Sequence, residues 1–359
     1  MPRGGGVLRV VALARREVAG HLLLLGAALY CARSAADEGL ARCAKLENID
    51  ERVACYDEFA RATEAPAGGP VDQSPTPSHL SEAWKLGRKQ AGSRRLTDIV
   101  GYHPNYVISR WSSNPNTQPS SPSRGSAPPQ DLDRNELKFQ VSFKTELASR
   151  EAFQRIGVTP LLSNVGVDSV RLWFGYTQRM NWQVYNSRNS RLLRETNYEP
   201  EAILTFGNGN EGNGFKLLNL GLVHQSNGLE GTQSRGWNRL YAQGGWEWDR
   251  LSMLARVWHR IPDSVALDDN PDIKDYVGRG ELVTRYQTAG GYVSRLLLRH
   301  TLRSSPSRGF AQLDWATPLL NWLGAARLHL QFTSGYGETL IDYNHKQTTL
   351  GVGVSFGDW

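Results

Sequence analysis

Residues 138–147, KFQVSFKTEL, set Phe139, Val141, Phe143, Thr145 and Leu147 on one side of an extended chain and Lys138, Gln140, Ser142, Lys144 and Glu146 on the other. That split follows from the period-2 alternation of strand side chains. The pattern returns in RLHLQF (327–332) and in TTLGVGVSFGDW (348–359), where Leu350, Val352, Val354 and Phe356 share a face. Reading the whole chain this way gives twelve strands, over 103–110, 137–147, 168–181, 196–207, 214–226, 236–248, 251–261, 275–287, 290–301, 308–315, 324–341 and 346–357. Several reach ten residues or more, which is long for a soluble sheet and suits a strand that crosses a bilayer at a tilt.

Two architectures can carry such strands. A soluble β-sandwich turns its apolar faces inward. A membrane barrel turns them out to lipid and lines its lumen with the polar faces. The even strand count and the charged face on strand after strand favour the barrel, and so does the aromatic C-terminal Trp359. Closure also removes the exposed edges that so many strands would otherwise leave. The expected fold is therefore all-β: a twelve-stranded antiparallel transmembrane β-barrel over 100–359, led by a short N-terminal periplasmic helical segment. With both termini periplasmic, odd strands run outward. The short connections after strands 6 and 8 are then periplasmic turns, and the longer ones at 111–136, 182–195 and 262–274 are external loops. The connection 148–167 is periplasmic yet too long for this rule.

Export is written at the N-terminus. Arg3, Arg9, Arg15 and Arg16 precede LLLLGAALYCA (22–32), and small residues follow at 34–36. Eleven apolar residues are too few to span a bilayer as a helix, so 1–36 reads as a secretory signal. Its charged lead is long, which leaves room for a start codon further downstream. Tyr30 before Cys31 argues against a lipoprotein site. Residues 1–36 hold five Arg and one Glu, so the net charge of +6 falls to about +2 after cleavage. Nucleic acid is accordingly not an expected partner. Cys43 and Cys55 remain, and in an oxidising compartment they are expected to bridge a helical hairpin over 37–62. The Pro/Gly/Ser-rich stretch that follows makes 63–99 a linker.

The stretch LGLVHQSNGLEGTQSRGWNRLY (220–241) carries the chemistry. His224 and Ser226 continue the face of Leu218, Leu220 and Leu222, and Asn238 shares the face of Leu240. On a barrel these faces meet lipid, at the outer end of strands 5 and 6. Same-face neighbours two residues apart lie about 6.5–7 Å apart along a strand, and an antiparallel partner can bring Asn238 against His224. A hydroxyl, a base and a group to orient the base are the components of nucleophilic catalysis. The spacing alone also allows a polar cap at the membrane interface.

HQSNG followed by SRGWNRLY resembles the active-site signature of bacterial outer-membrane phospholipase A. YTQ (176–178), RETNYEP (194–200), DDNPDI (268–273), SGYGETLIDYN (334–344) and GVGV (351–354) also match that family, in order, from about residue 100 onward. The resemblance implies a calcium-dependent enzyme of the Gram-negative outer membrane. Such an enzyme is active as a homodimer and hydrolyses acyl esters of phospholipids, with A1, A2 and lysophospholipase activity. It implies Ser226 as nucleophile, His224 as base and Asn238 as orienting group, with the Gly228 N–H donating to the oxyanion. Calcium would be held by the Ser234 hydroxyl, the Leu229 carbonyl and Ser190 of the neighbouring subunit. Gln178 matches the family's dimer-contact glutamine. Gln225, Leu229 and Gly231 depart from the family's common Asp, Arg and carboxylate. The last puts in doubt a second calcium site pairing position 231 with Asp269.

GNGNEG (207–212) fits a dinucleotide fingerprint but precedes a strand rather than a helix, so it reads as a turn. DDNPD (268–272) has the carboxylates to bind a metal, but reads first as an acidic external loop. The alternatives to the lipid hydrolase are a non-catalytic barrel, whether pore or structural protein, and a soluble periplasmic esterase.

Overall fold

The computed structural model describes residues 43–63, 78–86, 99–191, 193–209, 212–320 and 326–357. The signal read over 1–36 lies outside them. Residues 1–74 and 75–359 form two compact units. In the first, helix α1 (Ile49–Thr63) follows a bend, and Cys43 and Cys55 form a disulfide with Cα atoms 5.5 Å apart.

The second unit is a closed antiparallel barrel of twelve strands. They are β1 (Asn105–Ser112), β2 (Asn135–Ala148), β3 (Ser169–Trp182), β4 (Leu193–Gly207), β5 (Gly214–Ser226) and β6 (Gly236–Trp248). Then come β7 (Leu251–Ile261), β8 (Gly280–Gln287), β9 (Val293–His300), β10 (Gly309–Ala316), β11 (Ala326–Tyr336) and β12 (Lys346–Phe356). Each strand pairs with its sequence neighbours, and β12 returns to β1 with Phe356 opposite Asn105. The strands expected over 275–287 and 324–341 are shorter: Arg279 and the residues before it, and those after Tyr336, belong to external loops. The apparent alternation of SGYGETLI continues past the point where the chain leaves the sheet.

Burial runs inside out relative to a soluble protein. On β2, Glu136, Lys138, Ser142, Lys144 and Glu146 are buried, while Val141 and Leu147 are about half exposed. Leu222, Leu240, Val257, Leu350 and Val352 are likewise exposed around the wall. A sandwich would bury those aliphatic faces, so the alternation resolves in favour of the barrel.

The lumen is filled from both ends. At the periplasmic end, residues 78–86 fold within the stretch read as a linker. Helix α2 (His79–Ala83) is capped by Ser78, whose Oγ accepts from the Ser81 N–H at 3.1 Å. The Glu247 carboxylate of β6 accepts from the N–H groups of His79 and Leu80 at 2.8 and 2.9 Å, where an anion meets the positive helix end. Leu80, Trp84 and Leu86 bury against Trp173, Ile203 and Leu217, and the Lys144 ammonium lies 3.4 Å from the Trp84 ring centroid. At the outer end the loop 337–345 folds inward, burying Leu340, Ile341 and Tyr343. Filling at both ends speaks against an open pore.

The long connection 149–168 is two short helices, α3 (Arg150–Arg155) and α4 (Val158–Ser163). Gly157 joins them at φ +78°, a left-handed conformation that glycine adopts without strain.

Candidate active site

The site is built on the outer ends of β5 and β6. Val223 and Trp237, one residue from His224 and Asn238, point inward and are fully buried. They join Tyr241, Trp258, Ile273, Val277, Leu340 and Tyr343 in an apolar cluster drawn from three strands and two external loops. This core fixes the strand pair from behind, and alternation then forces His224, Ser226 and Asn238 outward. The register sets His224 opposite Asn238 and Ser226 opposite Gly236.

His224 Nδ1 lies 2.8 Å from Asn238 Oδ1. An amide oxygen can only accept, so Nδ1 carries the proton and Nε2 keeps the lone pair. That is the tautomer a base toward Ser226 requires. His224 is exposed on the lipid face, and Ser226 and Asn238 are half-buried. Gly228 follows at φ +65°, where an added Cβ would meet Tyr198 Cε2 at 3.0 Å. The conformation strains any side chain there, and the Tyr198 ring would have to give way to one.

The loop between the strands is stapled by groups that sequence reasoning missed. Asn227 Oδ1 accepts from the Arg235 N–H at 2.9 Å, and its amide donates to the Gln233 carbonyl at 2.8 Å. The buried Arg235 guanidinium donates to the carbonyls of Thr232 and Ser234. The 262–279 loop clamps it from outside: Asn270 Oδ1 accepts from the Gly236 N–H at 2.9 Å, and Asp269 Oδ2 accepts from the Ser234 hydroxyl at 2.6 Å. Arg260 holds that loop through Asp268 at 2.6 Å and the carbonyls of Asn270 and Pro271. Burial, and then the Asp272 carboxylate, push the Tyr343 phenol upward, so it donates to Asp272. The acidic loop DDNPD is therefore a clamp; its polar residues were visible in the sequence, but their partners are not local.

The residues singled out as calcium ligands divide. Ser234 and Leu229 share the site loop. Ser190 lies on the β3–β4 loop, where its carbonyl accepts from Trp182 Nε1 at 2.7 Å. Among the described residues no group of three or more His, Cys, Asp or Glu could hold a metal. Asp269, doubted as half of a second calcium site, carries the guanidinium of Arg124 at 2.6 Å. Gln225 faces the lumen and accepts from Trp237 Nε1 and Arg239. Gln178 sits on the outer face and accepts from the Tyr176 hydroxyl at 2.9 Å.

Comparison with known proteins agrees with this geometry. The family model described as phospholipase A1 matches residues 80–356. A Neisseria meningitidis serogroup B protein named for phospholipase A1 is 34% identical over 94% of this chain and 95% of its own. The phospholipase A1 of Escherichia coli K12 is 34% identical over 72% of this chain and 82% of its own. Among solved structures, E. coli outer membrane phospholipase A aligns with a TM-score of 0.59 at 29% identity, covering 72% of this chain and 94% of that one. The Salmonella typhi outer membrane phospholipase dimer with bound calcium gives 0.59 at 29%, covering 73% and 93%. A lipid-facing polar trio on a twelve-stranded wall and these matches lead to one assignment: the chain belongs to the phospholipase A1 family of outer-membrane barrels found in Gram-negative bacteria.

Proposed function

We propose that the protein is a calcium-dependent hydrolase of phospholipid acyl esters, acting at both A1 and A2 positions and on lysophospholipids. The observation that carries this is the 2.8 Å contact between His224 Nδ1 and Asn238 Oδ1 on the outer, lipid-facing end of the wall. A substrate embedded in the leaflet reaches a nucleophile only if it points outward. Ser226 attacks the ester carbonyl while His224 Nε2 takes its proton and later returns it to the leaving alkoxide. Asn238 fixes the imidazole tautomer. The Gly228 N–H donates to the oxyanion.

The residues present suit a hard cation. The Ser234 hydroxyl and Leu229 carbonyl are oxygen donors. Ser190 of a second copy would complete the set, with Gln178 in the dimer face; the calcium-bound dimer of the Salmonella protein supports calcium and a dimer as such. Bound calcium would supply positive charge next to the developing oxyanion.

Hydrolysis of phospholipid in mixed micelles tests the reading. EDTA is expected to bring the rate to background and added calcium to restore it; a rate unchanged by EDTA rejects the calcium dependence. Gly228→Ala is expected to lower kcat roughly tenfold or more, since a left-handed alanine costs about 1 kcal/mol and misaims the donor. Wild-type kcat in that variant would remove Gly228 from the oxyanion site.

A further inference from the structure

An asparagine in the orienting position has two weaknesses. Its amide can turn over and offer N–H groups to the imidazole, and it brings no charge to offset an imidazolium. The structure supplies a remedy from the 262–279 loop. Asn238 Nδ2 donates to Asp263 Oδ1 at 3.5 Å, on the side of the amide away from His224. Asp263 is 29% exposed, and the Arg260 guanidinium lies 3.7 Å from its other oxygen. Arg260 is in turn fixed at 2.6 Å by Asp268. Arg260, at the end of β7, and Asp263, at the start of the loop, thus lie together at this corner.

We infer that Asp263 is a positioning residue for the ester-hydrolysis reaction, acting through Asn238; the inference rests on the triad reading above. A carboxylate can only accept hydrogen bonds, so Asp263 requires the Asn238 NH2 to face it. Oδ1 must then face His224, Nδ1 must carry the proton, and Nε2 is left basic toward Ser226. One negative charge two bonds removed from the imidazole thus chooses the amide orientation and the tautomer together. It also places an anion behind the amide dipole, in the sense that stabilises positive charge on the ring in the transition state. The contact is long for a hydrogen bond, as such links often are before substrate binds. Asp263 lies five residues before the clamp DDNPD, so the Arg260 and Asp268 pair that holds the clamp also presents this carboxylate.

The test uses the full-length barrel in mixed micelles with calcium, each variant checked for folding by its heat-dependent migration in detergent gels. Asp263→Asn, whose side chain can present either a donor or an acceptor, is expected to lower kcat about fivefold to tenfold, the worth of one positioning hydrogen bond, with KM unchanged. Asp263→Glu is expected to recover most of the loss. In an Asn238→Ala background, Asp263→Asn is expected to have no further effect, because both changes break one relay. An Asp263→Asn enzyme with wild-type kcat, or a loss that adds in full to that of Asn238→Ala, overturns the inference. If His224→Ala keeps wild-type kcat, the triad itself falls and Asp263 with it; if His224→Ala is inactive while Asp263→Asn is not impaired, only the role of Asp263 is lost.

Discussion

Ser226→Ala is expected to lower kcat on phospholipid micelles by about four orders of magnitude or more, with the barrel still folded and still inserted. Ser226 sits at the last position of β5, on the outward face, and its hydroxyl makes no contribution to the buried core behind the strand. Its removal therefore subtracts chemistry rather than structure. His224→Ala is expected to lose a similar amount, and the double variant to lose no more than either, since in the proposed triad nucleophile and base act in the same step. Asn238→Ala should lose less, roughly one to two orders of magnitude. It removes an orienting acceptor but no charge, whereas an aspartate in that position also stabilises the imidazolium. This ranking separates the triad from the polar-cap reading of the same three residues. A cap would show three small and equal losses, and a Ser226→Ala barrel with full activity would end the hydrolase assignment at this site.

The wall of the barrel is legible in the sequence because alternation reports which side of a strand meets lipid and which meets the lumen. It places His224 and Asn238 on the outward face before any register is known, and the observed pairing of these two completes what the alternation implies. What fills the lumen is not legible in the same way. Leu80, Trp84 and Leu86 stand among polar residues with no repeating period, and they become a core only because Trp173, Ile203 and Leu217 converge on the same space when the barrel closes. The loop 337–345 shows the converse: SGYGETLI extends a strand pattern past the sheet, yet Gly337 at φ +70° turns the chain into the lumen. Asp263, Asp269 and Asn270 belong to no periodic pattern that would say what they contact. Their roles are defined by partners on β5–β6 and its loop, which only the folded register brings near.

Glu338→Gln is expected to destabilise the barrel by about 3 kcal/mol, the usual scale for leaving buried charge uncompensated, read as a lower denaturant midpoint for gel-shift unfolding. The Glu338 carboxylate is buried at the outer end of the lumen, 3.2 Å from Arg110 Nη2 and 3.0 Å from Lys138 Nζ. Arg110 also pairs with Glu136, which Arg194 contacts at 2.6 Å while reaching Asp342 at 2.9 Å. Three cations and three carboxylates thus neutralise one another, and removing one anion leaves Lys138, held by the neutral Gln331 side-chain amide oxygen at 2.7 Å, without a carboxylate to offset its charge. Burial alone would raise the Glu338 carboxyl, but Arg110 and Lys138 hold it down to about 2, against 4.5 for the free group. A carboxyl held low in the folded state stabilises fully above its unfolded value and progressively less as pH falls toward its folded one. Wild type should therefore lose its advantage over Glu338→Gln between about pH 4.5 and 2, with the two stability curves converging on acidification. Curves that stay parallel across that window would show that Glu338 is not ionised in the folded barrel. The consequence reaches the active site, because Glu338 anchors the loop that carries Leu340 and Tyr343 into the core behind His224 and Asn238. The variant is therefore expected to lose kcat before it unfolds, as the imidazole and its amide partner lose the backing that fixes their distance.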